Sequence, residues 1–341
     1  MRRVAVPIIM VLIALVFIAP VSAWSTLALW FRLPGSEWVR GAVAGLFVLL
    51  GLATIVALFT RRRAPALAVF ALAFAGLLLW WSTITPPQDG DWQPDVARQT
   101  TGKLDGEVLT LSDVCDFDWR GENDFTERWR PQSYDLSKLK TLDLFLAHWA
   151  GPEMAHVFMS FGFEDGRYLA WSVEVRRQKG SDFSPLADAF RRHTIIYLAT
   201  TERDSIRLRA NIRGEDVRLY RLNTAPDRAR LLLLEYVAES NALAERPRFF
   251  NSITANCATS VFKLVRAAGG TYPLDWRLII NGFLPGFLYD HGAVDTSIPL
   301  DELIERAKIS EKAHAAGDSP DFSRLIRVGV PAPRSAPAAG S

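Results

Sequence analysis

The chain has 341 residues, 49% of them hydrophobic, with 11 Trp, five His and two Cys, which is long enough for a membrane region plus one globular domain. Its formal net charge of +2 hides an asymmetry: residues 1–83 hold seven Arg against the single acid Glu37, a net of +6, which leaves −4 for the remainder. A mildly acidic C-terminal part argues against nucleic acid as a partner, and a few scattered His and Cys without ligand spacing argue against a zinc site.

Three apolar runs come first, at about residues 4–31, 38–60 and 64–82, interrupted only by Arg40 near the start of the second. Crossing a hydrocarbon core takes about 20 apolar residues, so the sequence predicts three transmembrane helices within 1–83. Arg2 and Arg3, with Arg61, Arg62 and Arg63 between the second and third runs, belong on the cytoplasmic side. Three spans that start inside deliver the rest of the chain outside, with Trp80 and Trp81 at the outer interface. A cleaved signal peptide ending at Val21-Ser22-Ala23 is the competing reading; two spans would then remain, and the domain would lie on the same side.

Residues 84–94 include PPQDGDW, a polar Pro/Gly tether, and residues 95–332 form the domain. The stretch up to residue 135 mixes Trp119, Phe125 and Trp129 with charges and holds Cys115; its pattern matches no element. The leucines of 136–149 suggest an amphipathic helix ending at Gly151-Pro152. Next come two runs rich in Val, Phe, Tyr and Trp around Glu164-Asp165-Gly166, a hairpin signal. A three-residue loop pairs Phe163 with Arg167, and so sets Phe158 opposite Ser172 and His156 opposite Glu174. A two-residue loop would put Val175 opposite His156 instead.

Strands follow at 194–200 and 217–222. The basic segment 203–213 between them reads as an exposed strand face or as a holder of a phospholipid head group. A helix over 228–243 leads to NSITANCATSVFKLVRAAGG, residues 251–270. Thr254 and Asn256 suit an N-cap, Val261, Leu264 and Val265 recur at helical spacing, and Gly269-Gly270 ends the run, so Cys257 falls in the first helical turn. A thiolate is stabilised there by the positive end of the macrodipole. His156 is the candidate base, with Glu174 or Ser172 to orient it. The competing reading is a structural disulfide between Cys115 and Cys257. Residues 276–288 are apolar and read as core, as a membrane-facing stretch or as the wall of an acyl pocket; 301–308 read as a surface helix and 333–341 as a disordered tail. Mixed helices and strands make the class α+β.

The strings SYDLSKLKTLDLF, AHVFMSFGF, DGRYLAWSVEVRR, ERDSIRLRANIRGEDVRLYRL, RPRFFNSITANCAT, NGFLPGFLYDHGAVDTSIPLDEL and DFSRLIRVGVP, in this order, resemble the Lnb-type periplasmic domain family over about residues 95–332. The resemblance implies a circularly permuted papain-like (NlpC/P60-like) domain with an antiparallel sheet and a cysteine-bearing helix, His preceding Cys in the chain. It matches Cys257 to the cysteine of the family's NC[AT]T motif, His156 to its histidine and Glu174 to its acidic position. It further implies a lipoprotein N-acyltransferase in the bacterial inner membrane, its domain in the periplasm, with a phospholipid as acyl donor, an apolipoprotein amine as acceptor and no cofactor. Asn256, beside the cysteine, is a candidate for the oxyanion site and Ser172 for a supporting position. The same Cys/His pair could serve a cell-envelope amidase or peptidase, and the fold could serve a membrane-tethered binding module.

Overall fold

The computed structural model describes residues 2–333, and for residues 2–7 only the helical backbone. Residues 334–341, most of the expected tail, lie outside the described residues. The chain forms two compact units, one of Met1–Pro87 with Ser184–Arg192 and one of Gln88–Phe183 with His193–Ser341.

The first unit holds three helices long and apolar enough to cross a membrane: Ile8–Arg32, which contains a π-helical turn at Ala14–Ile18, then Glu37–Leu58 and Arg63–Ser82. Leu15, Leu46, Leu72 and Leu79 expose 64%, 65%, 73% and 71% of their surface, a cost that hydrocarbon removes and water does not. The helices meet through small residues: a Cβ on Gly51 would collide with Ser22, the close approach common between membrane helices. The short helix Pro185–Ala189 belongs to this unit as well. The Phe190 ring beside it packs on Trp24, Phe31 and Trp81, and Arg191 donates to the Trp81 carbonyl at 2.8 Å.

The second unit is built on strands β1 (Gly102–Asp105), β2 (Val108–Cys115), β3 (Asp118–Gly121), β4 (Asp124–Thr126), β5 (Trp129–Asp135), β6 (Leu139–His148), β7 (Ala155–Phe163), β8 (Tyr168–Arg176), β9 (Thr194–Thr200) and β10 (Asp216–Arg221). Among the described residues one eight-stranded, mostly antiparallel sheet runs β1-β2-β9-β8-β7-β6-β10 with β5 on β2, and β3 pairs with β4 alone. Its class is the expected α+β. Alternate residues face opposite layers, as strand geometry requires. Leu144, Leu146, Val157, Met159, Trp171 and Val173 meet the helices Pro226–Glu245 and Cys257–Ala267. Phe145, Ala147, Phe158 and Ala170 meet Glu202–Arg207 and Ser310–Ala316.

Two sequence expectations fail here. The leucine run expected to be a helix over 136–149 is a short 3-10 turn at Leu136–Lys138 followed by β6. From Leu142 to His148 every residue of β6 is buried, because helices cover both faces and β7 and β10 flank it; a strand buried on both faces loses the alternation that distinguishes it from a helix. The basic segment 203–213 is the helix Glu202–Arg207 running into a π-helical turn, Leu208–Ile212, rather than a strand. Thr201 caps its start by accepting from Asp204 N–H.

The C-terminal segment is fixed to the sheet by charge. Arg327 bonds Asp143 at 2.7 Å and Glu202 at 2.5 Å, Arg221 bonds Asp143 at 2.6 Å, and Ser160 donates to Glu202 at 2.5 Å. Asp143 is wholly buried and Arg327 nearly so. Removing one member of such a cluster leaves buried charge unpaired and costs about 3–5 kcal/mol. Arg327→Leu is therefore expected to lower the stability of the second unit by that amount, read as an earlier denaturant midpoint in near-ultraviolet circular dichroism; an unchanged midpoint would show that the cluster contributes nothing.

Candidate active site

The hairpin adopts the three-residue-loop register. Phe163 N–H donates to Arg167 at 2.9 Å, Gly166 takes a φ of +82° in the turn, and Phe158 stands opposite Ser172. Beyond that pair the two strands separate. β7 stays on β6 as far as Ala155 and β8 stays on β9 as far as Arg176, but β7 and β8 share no further rungs after Phe158 and Ser172. The start of the cysteine helix lies at this parting, where the His156 ring and the freed Val157 N–H both act on the Cys257 sulfur to favour its anion. A side chain from the helical layer thus meets one from the opposite face of the sheet.

The helix begins at Cys257 because Asn256 caps it. Asn256 Oδ1 accepts from Thr259 N–H at 2.8 Å and Thr259 Oγ1 accepts from Asn256 N–H at 3.0 Å, a reciprocal capping box. Asn256 Nδ2 donates to the Ser252 carbonyl at 2.7 Å. This use as a cap replaces the oxyanion role expected for the Asn256 side chain. The amide nearest the sulfur is that of Asn281, whose Nδ2 lies 3.8 Å from Cys257 Sγ while its Oδ1 accepts from Ala155 N–H at 2.8 Å. Gly282 makes that placement possible, since a Cβ there would collide with the backbone of Pro152 and Glu153.

Behind the imidazole, His156 Nε2 lies 2.6 Å from Ser172 Oγ and 3.0 Å from Glu174 Oε1, which leaves Nδ1 for the sulfur. Ser172 donates to Glu174 at 2.6 Å, so its oxygen accepts from the ring and Nε2 carries the hydrogen. Arg209, buried in the π-helical turn, donates to Glu174 at 2.6 Å and lies 5.2 Å above the Phe158 ring. It is thus neither an exposed strand charge nor available to a lipid head group. Arg209 and Asn281 join the site from segments about 50 and 125 residues away from His156 in the chain. Nothing in their local pattern announces this; a lone arginine in a basic run and an Asn-Gly pair are common surface signals.

The charges act together. Burial pushes His156 down, but Glu174 outweighs it and, despite Arg209, the ring is raised to about 9. Burial pushes Cys257 up, yet the hydrogen bond and charge of His156 hold the thiol below its ordinary value. Glu174 is driven up by burial and, more strongly, down by His156 and Arg209, so it stays ionised. The imidazolium and the thiolate thus favour one another, the direction that makes a cysteine more nucleophilic. Cys115 differs: burial and the neighbouring Asp204 carboxylate hold its thiol well up. Both cysteines are free, so the disulfide alternative is not realised. Among the described residues no cluster of three His, Cys, Asp or Glu could hold a metal ion.

Residues 125–282 match the family model described as the Lnb N-terminal periplasmic domain. That match includes His156, Ser172, Glu174, Arg209, Cys257 and Asn281, and it agrees with the resemblance carried by the sequence motifs. No curated protein and no solved structure matches the chain.

In the native protein iodoacetamide should label Cys257 and leave Cys115 until the chain unfolds, as peptide mapping would reveal. His156→Gln removes the influence that lowers the thiol and leaves burial, so its alkylation midpoint should move to higher pH than in the unsubstituted protein; a midpoint unaffected by this substitution would separate the two side chains functionally.

Proposed function

We propose that this membrane protein, which carries an Lnb-type periplasmic domain, is a thiol acyltransferase acting on lipid at the periplasmic face of the inner membrane. The observation that supports it most is the contact between Cys257 and an imidazole held from behind by Ser172 and Glu174. His156 preceding Cys257 in the chain is the order of a permuted papain-like enzyme. Arg61, Arg62 and Arg63 favour a cytoplasmic loop, which puts the second unit outside.

The Cys257 thiolate adds to an ester carbonyl of a phospholipid. Asn281 Nδ2 and the Cys257 backbone N–H at the helix start would hold the oxyanion. The C–S bond forms, the ester C–O bond breaks, and the His156 imidazolium gives its proton to the departing alkoxide, releasing a lysophospholipid. The now neutral His156 takes a proton from an amine as nitrogen attacks the thioester. The C–N bond forms, the C–S bond breaks, and thiolate and imidazolium are restored. The N-terminal amine of an apolipoprotein is the acceptor that the family resemblance favours. A thioester suits the transfer because it resists water longer than it resists an amine.

Incubation of the full-length protein with phospholipid should leave one fatty-acyl adduct on Cys257 in intact-mass and peptide analysis, and Cys257→Ala and His156→Ala should abolish transfer to an amine. Release of free fatty acid with no adduct would support a hydrolase instead, and normal function of both variants in cells would remove enzyme chemistry altogether. Asn281→Ala is expected to slow acylation by about 10²–10³-fold, the effect of losing one oxyanion donor, while the rate of iodoacetamide alkylation stays within about twofold of the unsubstituted protein.

A further inference from the structure

Directly under the cysteine helix lies a cavity of about 390 Å³. Leu144 and Met159 of the sheet, Val261 and Val265 of the helix, and Leu284 and Phe287 of the apolar segment line it. Protein interiors are close-packed, with few voids larger than a water molecule, and water needs several polar partners to occupy a void stably. The wall formed by these six side chains offers none, and the space is partly open to solvent, so it is an apolar-walled cleft rather than a packing defect. It is also within the size range of small-molecule sites, about 300–1,000 Å³.

Its position relative to the nucleophile suggests its occupant. Ala258, next to Cys257, lines one end, and Ala268, Gly269 and Gly270 line the other. At 1.5 Å per residue the ten steps from Ala258 to Ala268 span about 15 Å. An extended chain of single bonds advances about 1.2 Å per bond, as three bonds of backbone cover about 3.6 Å, so the cavity takes roughly 12 bonds. The polar groups come at the far end, where Asn223, Thr224, Arg228 and Thr271 border the space.

We infer that this cavity is the acyl-chain site: the hydrocarbon tail of an acyl group held as a thioester on Cys257 lies along the apolar wall of the cysteine helix. The inference rests on the acyl-thioester reading and adds to it a selection of chain length, because Cys257 fixes one end of the chain and the length of the cavity limits the other. Residues 276–288, apolar in sequence, supply Leu278, Leu284, Phe287 and Leu288 to the wall. Val265→Trp, filling the far half, should impose a shorter limit.

The test uses full-length protein in detergent micelles with phosphatidylglycerols of short, medium and long acyl chains, following the Cys257 adduct by intact mass. Unsubstituted protein should favour the medium chains, of about 12 carbons, over the long ones. Val265→Trp, and independently Leu288→Phe, should reduce medium-chain adduct formation at least tenfold relative to short-chain, with the short-chain adduct retained and Cys257 still alkylated by iodoacetamide at the original rate. That alkylation control identifies a misfolded variant, in which case the other variant decides. Adducts whose length preference does not move in a folded variant would overturn the cavity assignment and leave the thioester reading standing. Failure of the unsubstituted protein to form any adduct would overturn both.

Discussion

The parting of β7 from β8 is the constraint on which the site depends. In a continuous sheet Val157 N–H would be used up in a rung to β8, and the helical layer would stay on its own side. Because the rungs stop at Phe158 and Ser172, a backbone donor and an imidazole edge become accessible to the sulfur at the start of the cysteine helix. The hairpin turn that sets the register lies at the other end of these strands. A turn of one residue fewer would exchange the faces and place Val175 where Glu174 now receives the ring.

Placing an imidazole, a carboxylate and a guanidinium in a largely buried site is expensive unless each is paired. Here the pairing is sequential: Arg209 on Glu174, Glu174 and Ser172 on His156, His156 on Cys257. The carboxylate is shared between two cations, so it stays ionised without neutralising either, and the negative charge it leaves for the ring is what favours imidazolium. Arg209 opposes that effect and limits how basic His156 becomes. Arg209 is carried by a π-helical turn, a feature frequent at functional sites.

Much of this was legible in the sequence, and the reasons for the failures are physical. The three apolar helices, the hairpin with its register and the cysteine at a helix start follow from local signals: run length, a glycine turn, a cap followed by helical spacing. The leucines of β6 imitate a helix because burial on both faces erases the period of two. Adjacency to Cys257 suggests an oxyanion role for the Asn256 side chain, which the capping box instead directs to Thr259 N–H. Arg209 and Asn281 reach the site only through tertiary packing, and no short-range pattern could single them out. The cavity, likewise, is a property of five segments brought together.

The central claim is that Cys257 is ionised by His156 in the resting protein. Ultraviolet thiolate absorbance of the full-length protein, titrated with pH against Cys257→Ala, measures this directly. The account predicts one thiolate, absent from Cys257→Ala, that forms at lower pH than it does in His156→Gln. A Cys257-dependent absorbance that rises at the same pH with and without the imidazole would contradict the account.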